Sequence, residues 1–99
     1  MLIHTVIFWL KDELNSDQVA EFRSGLESLQ RIDAAEAVYI GTPAPTPERP
    51  VIDTSYDFCL TVLLKDIAAH DAYQEHSRHK DFLTQFSGYW NQVRIYDAR

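Results

Sequence analysis

The chain has 99 residues, of which 45% are hydrophobic, and a net charge of -6 at pH 7. Length and composition fit a single domain over residues 1–99, with enough apolar residues for a packed core. The acidic balance, without a cluster of Lys or Arg, argues against nucleic acid and anionic membranes as partners, because both need a basic surface. The single cysteine cannot form an internal disulfide, and the apolar start is too short to span a bilayer, so we expect a cytoplasmic protein.

The first predicted element is a strand from Leu2 to Lys11, in which both alternating faces are largely apolar. One face consists of Leu2, His4, Val6, Phe8 and Leu10, and the other of Ile3, Thr5, Ile7 and Trp9. A strand that is apolar on both sides is covered on both sides. We therefore expect helices on one face and a second covering layer on the other.

A helix is predicted next, capped by Asn15 or Ser16 and continuing to about Arg31. Its apolar positions recur every three or four residues, which predicts one buried face: Val19, Phe22, Leu26 and Leu29. Gly25 also lies on this helix, although glycine disfavours a helix interior. Its missing side chain either allows close packing or leaves room beneath the helix.

A short strand from Glu36 to Gly41 precedes a segment that contains all four prolines, Thr42 to Ser55. Proline lacks the N–H group that a central strand needs, so this segment is predicted to be an extended loop. A loop of this length in a small domain is usually functional or crosses to a partner. We predict that it lies at the edge of a dimer.

The rest of the chain predicts a strand from Tyr56 to Lys65, a helical region after Asp66 and a last strand from Tyr89 to Tyr96. The helical region contains three of the four histidines. Ser77 is expected to break this region, and Gly88 is expected to end it.

This order of elements, β-α-β-β-α-β, is that of the ferredoxin-like arrangement, an α+β fold with helices on one face of an antiparallel sheet. The opposite face of the sheet still carries apolar side chains, namely Ile7, Trp9, Cys59 and Leu63. Such a face would form a large apolar patch in water. We therefore predict a homodimer in which two sheets bury these side chains.

Four segments carry a resemblance to a known family: HTVIFWLK, SYDFCLTVLLKD, AYQEHSRHKDF and VRIYD. In this order and spacing, the chain resembles the stress-responsive A/B barrel family, the Dabb domain. The resemblance implies that two chains pack sheet to sheet as a dimeric α+β barrel with the helices outside. Members of the family include plant stress-induced proteins and plant polyketide cyclases.

The resemblance also implies a site. In cyclase-type members a tyrosine and a histidine of the second helical region face a pocket together with a histidine of the first strand, and Tyr73, His79 and His4 occupy these positions. His79 would be a general base and Tyr73 would donate a hydrogen bond to an enolate or carbonyl oxygen. The alternative is that all three are structural groups whose polar atoms are satisfied by hydrogen bonds within the protein.

This chain departs from the cyclase pattern at two positions. His76 matches a histidine that normally precedes a proline, but Ser77 follows it here. Cyclase members can also carry a histidine on the third strand, where this chain has Phe58. These differences weaken the case for the same reaction.

Strand alternation and the helical stripe predict one cavity that contains His4, Tyr73 and His79. We expect Phe22 and Leu26 to roof it. The other residues expected to contact a ligand are Val6, Phe8, Phe58 and His76.

No cofactor and no metal are expected. His76 and His79 have a spacing that suits metal binding, but a metal site needs three or four ligands. The expected function is to bind a small apolar or aromatic molecule between helices and sheet, with cofactor-free polyketide-cyclase-like enolate chemistry as its most specific form. The alternative is a non-catalytic stress-related structural or assembly protein. An open cavity of ~300 Å³ or more at the site would favour the first function.

Overall fold

The computed structural model describes all 99 residues. Its elements are, in chain order, β1 (Leu2–Leu10), α1 (Ser16–Ser28), β2 (Ala35–Gly41), β3 (Phe58–Leu64), α2 (Ile67–Glu75), α3 (Ser77–Phe86) and β4 (Trp90–Ala98). Short 3-10 turns, Leu29–Arg31 and Ser87–Tyr89, follow α1 and α3. The strands form one antiparallel sheet in the order β2-β3-β1-β4. The predicted ferredoxin-like α+β fold is confirmed.

Alternation along the strands decides which side chains face the helices. In β1 the five even-numbered residues are buried beneath the helices, and in β3 the same is true of Phe58, Leu60, Val62 and Leu64. All of these side chains except His4 join residues from the helices in a core of 15 buried apolar side chains. Burial of each Leu, Val or Phe side chain stabilises the fold by about 1.5–3 kcal/mol.

Side-chain caps determine where the helices begin. The Asn15 side chain accepts a hydrogen bond from the Gln18 backbone N–H, and the Gln18 side chain accepts one from the Asn15 N–H, which is a complete capping box. The break between α2 and α3 lies at His76, one residue before the predicted Ser77. The backbone of His76 is extended, and its own Nδ1 accepts a hydrogen bond from the Arg78 N–H.

The strand at the C-terminal end is longer than predicted. It continues to Ala98, two residues beyond Tyr96, because β1 remains paired with it as far as Ile3. This extension places Asp97 directly opposite His4 on the side of the sheet that faces the helices.

The outer face, which is the side of the sheet away from the helices, has no covering layer within the chain. Tyr39 and Tyr96 are exposed there, and the outward side chains of β1 and β3 are half-buried or exposed. The Pro-rich segment from Thr42 to Ser55 contains no helix or strand. Its last residue, Ser55, accepts a hydrogen bond at Oγ from the Trp9 indole N–H. An apolar face of this kind is typical of an interface.

Candidate functional site

Three of the histidines and one tyrosine form a group between β1 and the second helical region. This histidine–tyrosine cluster consists of His4, His70, Tyr73 and His79. Alternation along β1 points His4 at the helices, where it is only 2% exposed. On α2 the three-residue spacing places His70 and Tyr73 on the same side, and their ring centroids lie 5.3 and 5.9 Å from that of His4.

The break at His76 brings the last member of the cluster into position. Because α3 starts in a new direction after the extended residue, His79 turns back towards α2 and its ring centroid lies 5.0 Å from that of Tyr73. His79 is buried, as the site hypothesis requires. The Tyr73 hydroxyl and His79 Nδ1 are both buried and have no hydrogen-bond partner. A native interior rarely leaves such atoms unpaired. The pair is therefore a candidate position for a polar ligand atom.

Burial also determines the protonation of this pair. Desolvation raises the pKa of Tyr73 well above its usual range, so the hydroxyl keeps its proton. Desolvation, together with the positive charge that His4 and His70 can carry, lowers the pKa of His79 from its usual value of 6.5. At neutral pH the pair is therefore a phenol that can donate a hydrogen bond and an imidazole that can accept a proton.

Asp97 is a site residue that the sequence reasoning missed. Its Oδ1 lies 2.5 Å from His4 Nδ1, and its Oδ2 lies 4.0 Å from His70 Nε2. Since a carboxylate only accepts hydrogen bonds, Nδ1 of His4 is the donor. A signal was present, because Asp97 is the last residue of the VRIYD segment that carries the family resemblance. What was lacking was the register that pairs it with His4.

The remaining predicted ligand contacts are not members of the cluster. Phe22 packs against Phe8 and Phe58, with ring centroids 5.2 and 5.6 Å apart, in an aromatic core towards the other end of β1. Val6 and Leu26 are also buried core residues. His76 serves as the cap of α3. The structure thus groups Tyr73, His79 and His4, and uses the others for packing or capping.

Five cavities of about 350 to 820 Å³ lie away from the cluster. One cavity of about 670 Å³ lies between α1 and α3. Another, of about 820 Å³, is lined by residues of the Pro-rich segment. A third, of about 480 Å³, is on the outer face near Trp9 and Arg94. None of the five is lined by His4, Tyr73 or His79, so the cavity predicted around these three side chains is not among them.

The antiparallel sheet with helices on one face defines a ferredoxin-like α+β protein. A model of the family described as the Stress responsive A/B Barrel Domain, Dabb, matches residues 2–99. The chain therefore belongs to this family. A search of curated proteins finds no match.

Several solved structures share the fold at low sequence identity. A Dabb family protein from Mesorhizobium loti is 23% identical, with a TM-score of 0.81 over 99% of this chain and 94% of the other. A dimeric ferredoxin-like protein from Thermobifida fusca is 20% identical, with a TM-score of 0.79 over 98% and 88%. A hydroxynitrile lyase from Passiflora edulis is 15% identical, with a TM-score of 0.82 over 98% and 90%.

None of the helices combines the length and the hydrophobicity that crossing a membrane requires.

Proposed function

We propose that this Dabb domain is a homodimer that binds a small apolar or aromatic carbonyl compound at Tyr73 and His79. The observation that carries this proposal is the pair of buried, unpartnered polar atoms, Tyr73 Oη and His79 Nδ1. Leaving each of them unpaired costs about 1–3 kcal/mol of folding free energy. The carbonyl oxygen of such a ligand would accept a hydrogen bond from the Tyr73 hydroxyl, and the C–H group beside the carbonyl would face the unprotonated Nδ1 of His79.

The chemistry that fits this pair is proton transfer next to a carbonyl group. Nδ1 of neutral His79 takes the proton from the carbon beside the carbonyl, the C–H electron pair moves towards the oxygen, and the resulting enolate oxygen accepts a hydrogen bond from Tyr73. The imidazolium then returns the proton to the carbon or to a leaving group. The step needs no cofactor. Polyketide-like cyclisation is one reaction that proceeds through such an enolate.

Two comparisons support parts of this proposal. One structure with the same fold is described as a hydroxynitrile lyase, so the fold is compatible with an enzyme. Another is described as dimeric, which agrees with the apolar outer face of this chain. Cytoplasmic location and the absence of nucleic acid and membrane partners stay predictions from the composition.

A second candidate function is that of a non-catalytic stress-related structural or assembly protein. It is favoured by the close packing of the cluster and by the position of the five described cavities away from it. On this reading the histidines serve only the packing of the helices on the sheet.

Hydrogen–deuterium exchange of simple ketones that carry a phenyl group distinguishes the two functions. Acetophenone and 4-phenyl-2-butanone in D₂O, followed by ¹H NMR, report proton removal beside a carbonyl without knowledge of the natural substrate. We expect exchange faster than in buffer, its loss in His79→Ala, and a decrease on the order of a hundredfold in Tyr73→Phe. The matched control is His76→Asn, which removes an imidazole outside the cluster. Unchanged exchange in His79→Ala would contradict the mechanism, and no exchange above buffer would favour the non-catalytic function.

Native mass spectrometry of the purified protein gives an independent measurement. A co-purified small molecule that is lost in Tyr73→Phe would support ligand binding, whether or not the ligand is a substrate.

A further inference from the structure

We propose that His4, His70 and Asp97 form a binding site for a divalent transition-metal ion of the zinc class. The inference goes beyond the proposed function, which requires no metal. Each residue offers one ligand atom, and these atoms lie within 4.8 Å of one another. The sequence predicts no metal at His76 and His79, since Glu75 and Asp81 point elsewhere on an ideal helix, but the structure assembles a different set of residues.

The site is built by three separate elements. His4 comes from β1, His70 from α2 and Asp97 from β4, so the residues are far apart in the sequence and are brought together only by the fold. His4 and Asp97 face each other as a cross-strand pair, and α2 lays His70 over them. Because all three residues lie on a helix or on paired strands rather than on loops, their positions are well defined.

The hydrogen bond between His70 Nδ1 and Asp71 favours a cation next to the opposite ring nitrogen, Nε2. Nδ1 of His70 lies 3.1 Å from Asp71 Oδ1, and since the carboxylate can only accept, Nδ1 carries the proton. In the neutral ring Nε2 then presents its lone pair, and it faces Asp97 Oδ2 at 4.0 Å. Two electron-pair donors face each other, which is unfavourable unless a positive charge lies between them. A carboxylate that orients a metal-binding histidine from behind is a common second layer of metal sites.

The chemical type of these ligands selects the class of metal. Two imidazole nitrogens with one carboxylate oxygen suit zinc and neighbouring transition metals, and they do not suit magnesium or calcium, which prefer oxygen ligands. Three protein ligands leave a fourth position for water or another small ligand, as in catalytic zinc sites.

The geometry needs only a local adjustment to accept the ion. Ligand atoms at about 2.0–2.2 Å from a zinc ion lie roughly 3.3 Å from one another, whereas Asp97 Oδ1 and His4 Nδ1 are 2.5 Å apart and joined by the Nδ1–H proton. The metal takes the place of this proton, and Asp97 moves away from His4 by about 1 Å. Asp97 can do so because its side chain is 42% exposed and lies near the end of β4. Its exposure also gives the ion a path from solvent.

The test measures metal binding itself, in untagged protein freed of metal with EDTA and then dialysed. We expect ZnCl₂ to raise the Tm by roughly 10 °C at a hundredfold excess over Kd. Co²⁺ in place of zinc should give visible absorption bands of low-coordinate cobalt. His70→Ala and Asp97→Asn should each weaken zinc binding at least tenfold, measured by isothermal titration calorimetry. His70 lies at the helix surface, so its variant tests the site even if Asp97→Asn alters the sheet.

The control is again His76→Asn, which should bind zinc as the parent protein does. Zinc binding of equal affinity in the parent, His70→Ala and Asp97→Asn would overturn the proposal, because the ion would then bind elsewhere. Absence of any Tm shift or cobalt spectrum at millimolar metal would also overturn it and would leave a proton between the two side chains. Neither result bears on ketone exchange by His79, so the two proposals fail separately.

Discussion

The Tyr73 hydroxyl is buried without a hydrogen-bond partner. Its removal should therefore raise the stability of the fold, although the proposed reaction requires it. Replacing Tyr73 with Phe removes the unpaired hydroxyl and keeps the ring that packs against His4 and His79. We expect the free energy of unfolding to rise by about 1 kcal/mol, since an unsatisfied buried group costs about that much or more. Urea denaturation measures it. A loss of stability instead would mean that the hydroxyl has a partner in solution.

Protonation of His79 should oppose folding. Its pKa is lowered in the folded protein by desolvation and by the charge of His4 and His70, whereas in the unfolded chain it returns to about 6.5. Between these two values the unfolded state binds more protons, so stability falls as the pH decreases below about 6.5. The groups that face the ring are His4, His70 and Tyr73.

Urea denaturation between pH 7.5 and 5.0 in EDTA tests this effect. The decrease in unfolding free energy should be smaller in His79→Phe than in the parent, and unchanged in His76→Asn. An identical pH dependence in parent and His79→Phe would show that His79 is not the titrating group.

Residue spacing predicts the positions of most side chains of the candidate site, but it does not predict that of Asp97. Alternation puts His4 on the side that faces the helices, and the three-residue spacing puts Tyr73 beside His70. Asp97 could not be found in this way, because a residue at a strand end joins a site only through the pairing register. That register depends on contacts between residues more than 90 positions apart in the chain.

At the scale of the element, α1 packs closely against the Phe86 ring at Gly25, and the missing side chain does not leave spare room beneath the helix. A Cβ atom there would lie 2.3 Å from Cε2 of Phe86, whose ring is held by Phe22, Phe82 and Tyr89. Helix propensity alone predicts that Gly25→Ala stabilises α1 by about 1 kcal/mol, while overpacking costs about 1–3 kcal/mol.

We therefore expect a net loss of about 1 kcal/mol in Gly25→Ala, read from the urea midpoint. Ser24→Ala is the control, since Ser24 is exposed on the same helix and should show only a small effect. A gain in stability in Gly25→Ala would mean that the Phe86 ring moves aside freely.

The cap of α3 permits a second prediction for an element. Nδ1 of His76 accepts a hydrogen bond from the Arg78 N–H at the start of the helix. His76→Ala should lose about 1 kcal/mol of stability, whereas His76→Asn should retain most of it, because asparagine is a good N-cap. Thermal unfolding of the two variants decides. Equal stability would show that the cap contributes nothing measurable.

The elements themselves were largely predictable, since each strand and helix follows from local periodicity. The break in the second helical region was expected from Ser77, but the cap is His76, a residue type that seldom has this role. The first helix ends at Ser28 rather than near Arg31, because its last turn tightens into a 3-10 turn. Boundaries of this kind depend on hydrogen bonds that a pattern of apolar residues does not contain.

At the scale of the whole molecule, the apolar outer face predicts self-association. Ile7 lies on this face in the middle of β1 and pairs with Cys59 and Arg94 of the neighbouring strands. Ile7→Glu would place charges in an interface between two sheets, so we expect the variant to sediment as a monomer at low micromolar concentration while the parent sediments as a dimer. Leu83→Glu, at an exposed apolar residue of α3 on the helical side of the sheet, is the charge-matched control. A parent protein that is a folded monomer would contradict the dimer.

The central position of β1 has a consequence for synthesis on the ribosome. This strand is made before its two neighbours in the sheet, β3 and β4. Until both are made, a nascent segment reading LIHTVIFWL has at least one edge unpaired, and it has the apolar, uncharged composition of aggregation-prone segments. Contacts between distant parts of a chain also form slowly. The emerging β1 therefore keeps an unpaired apolar edge until β4 has left the exit tunnel.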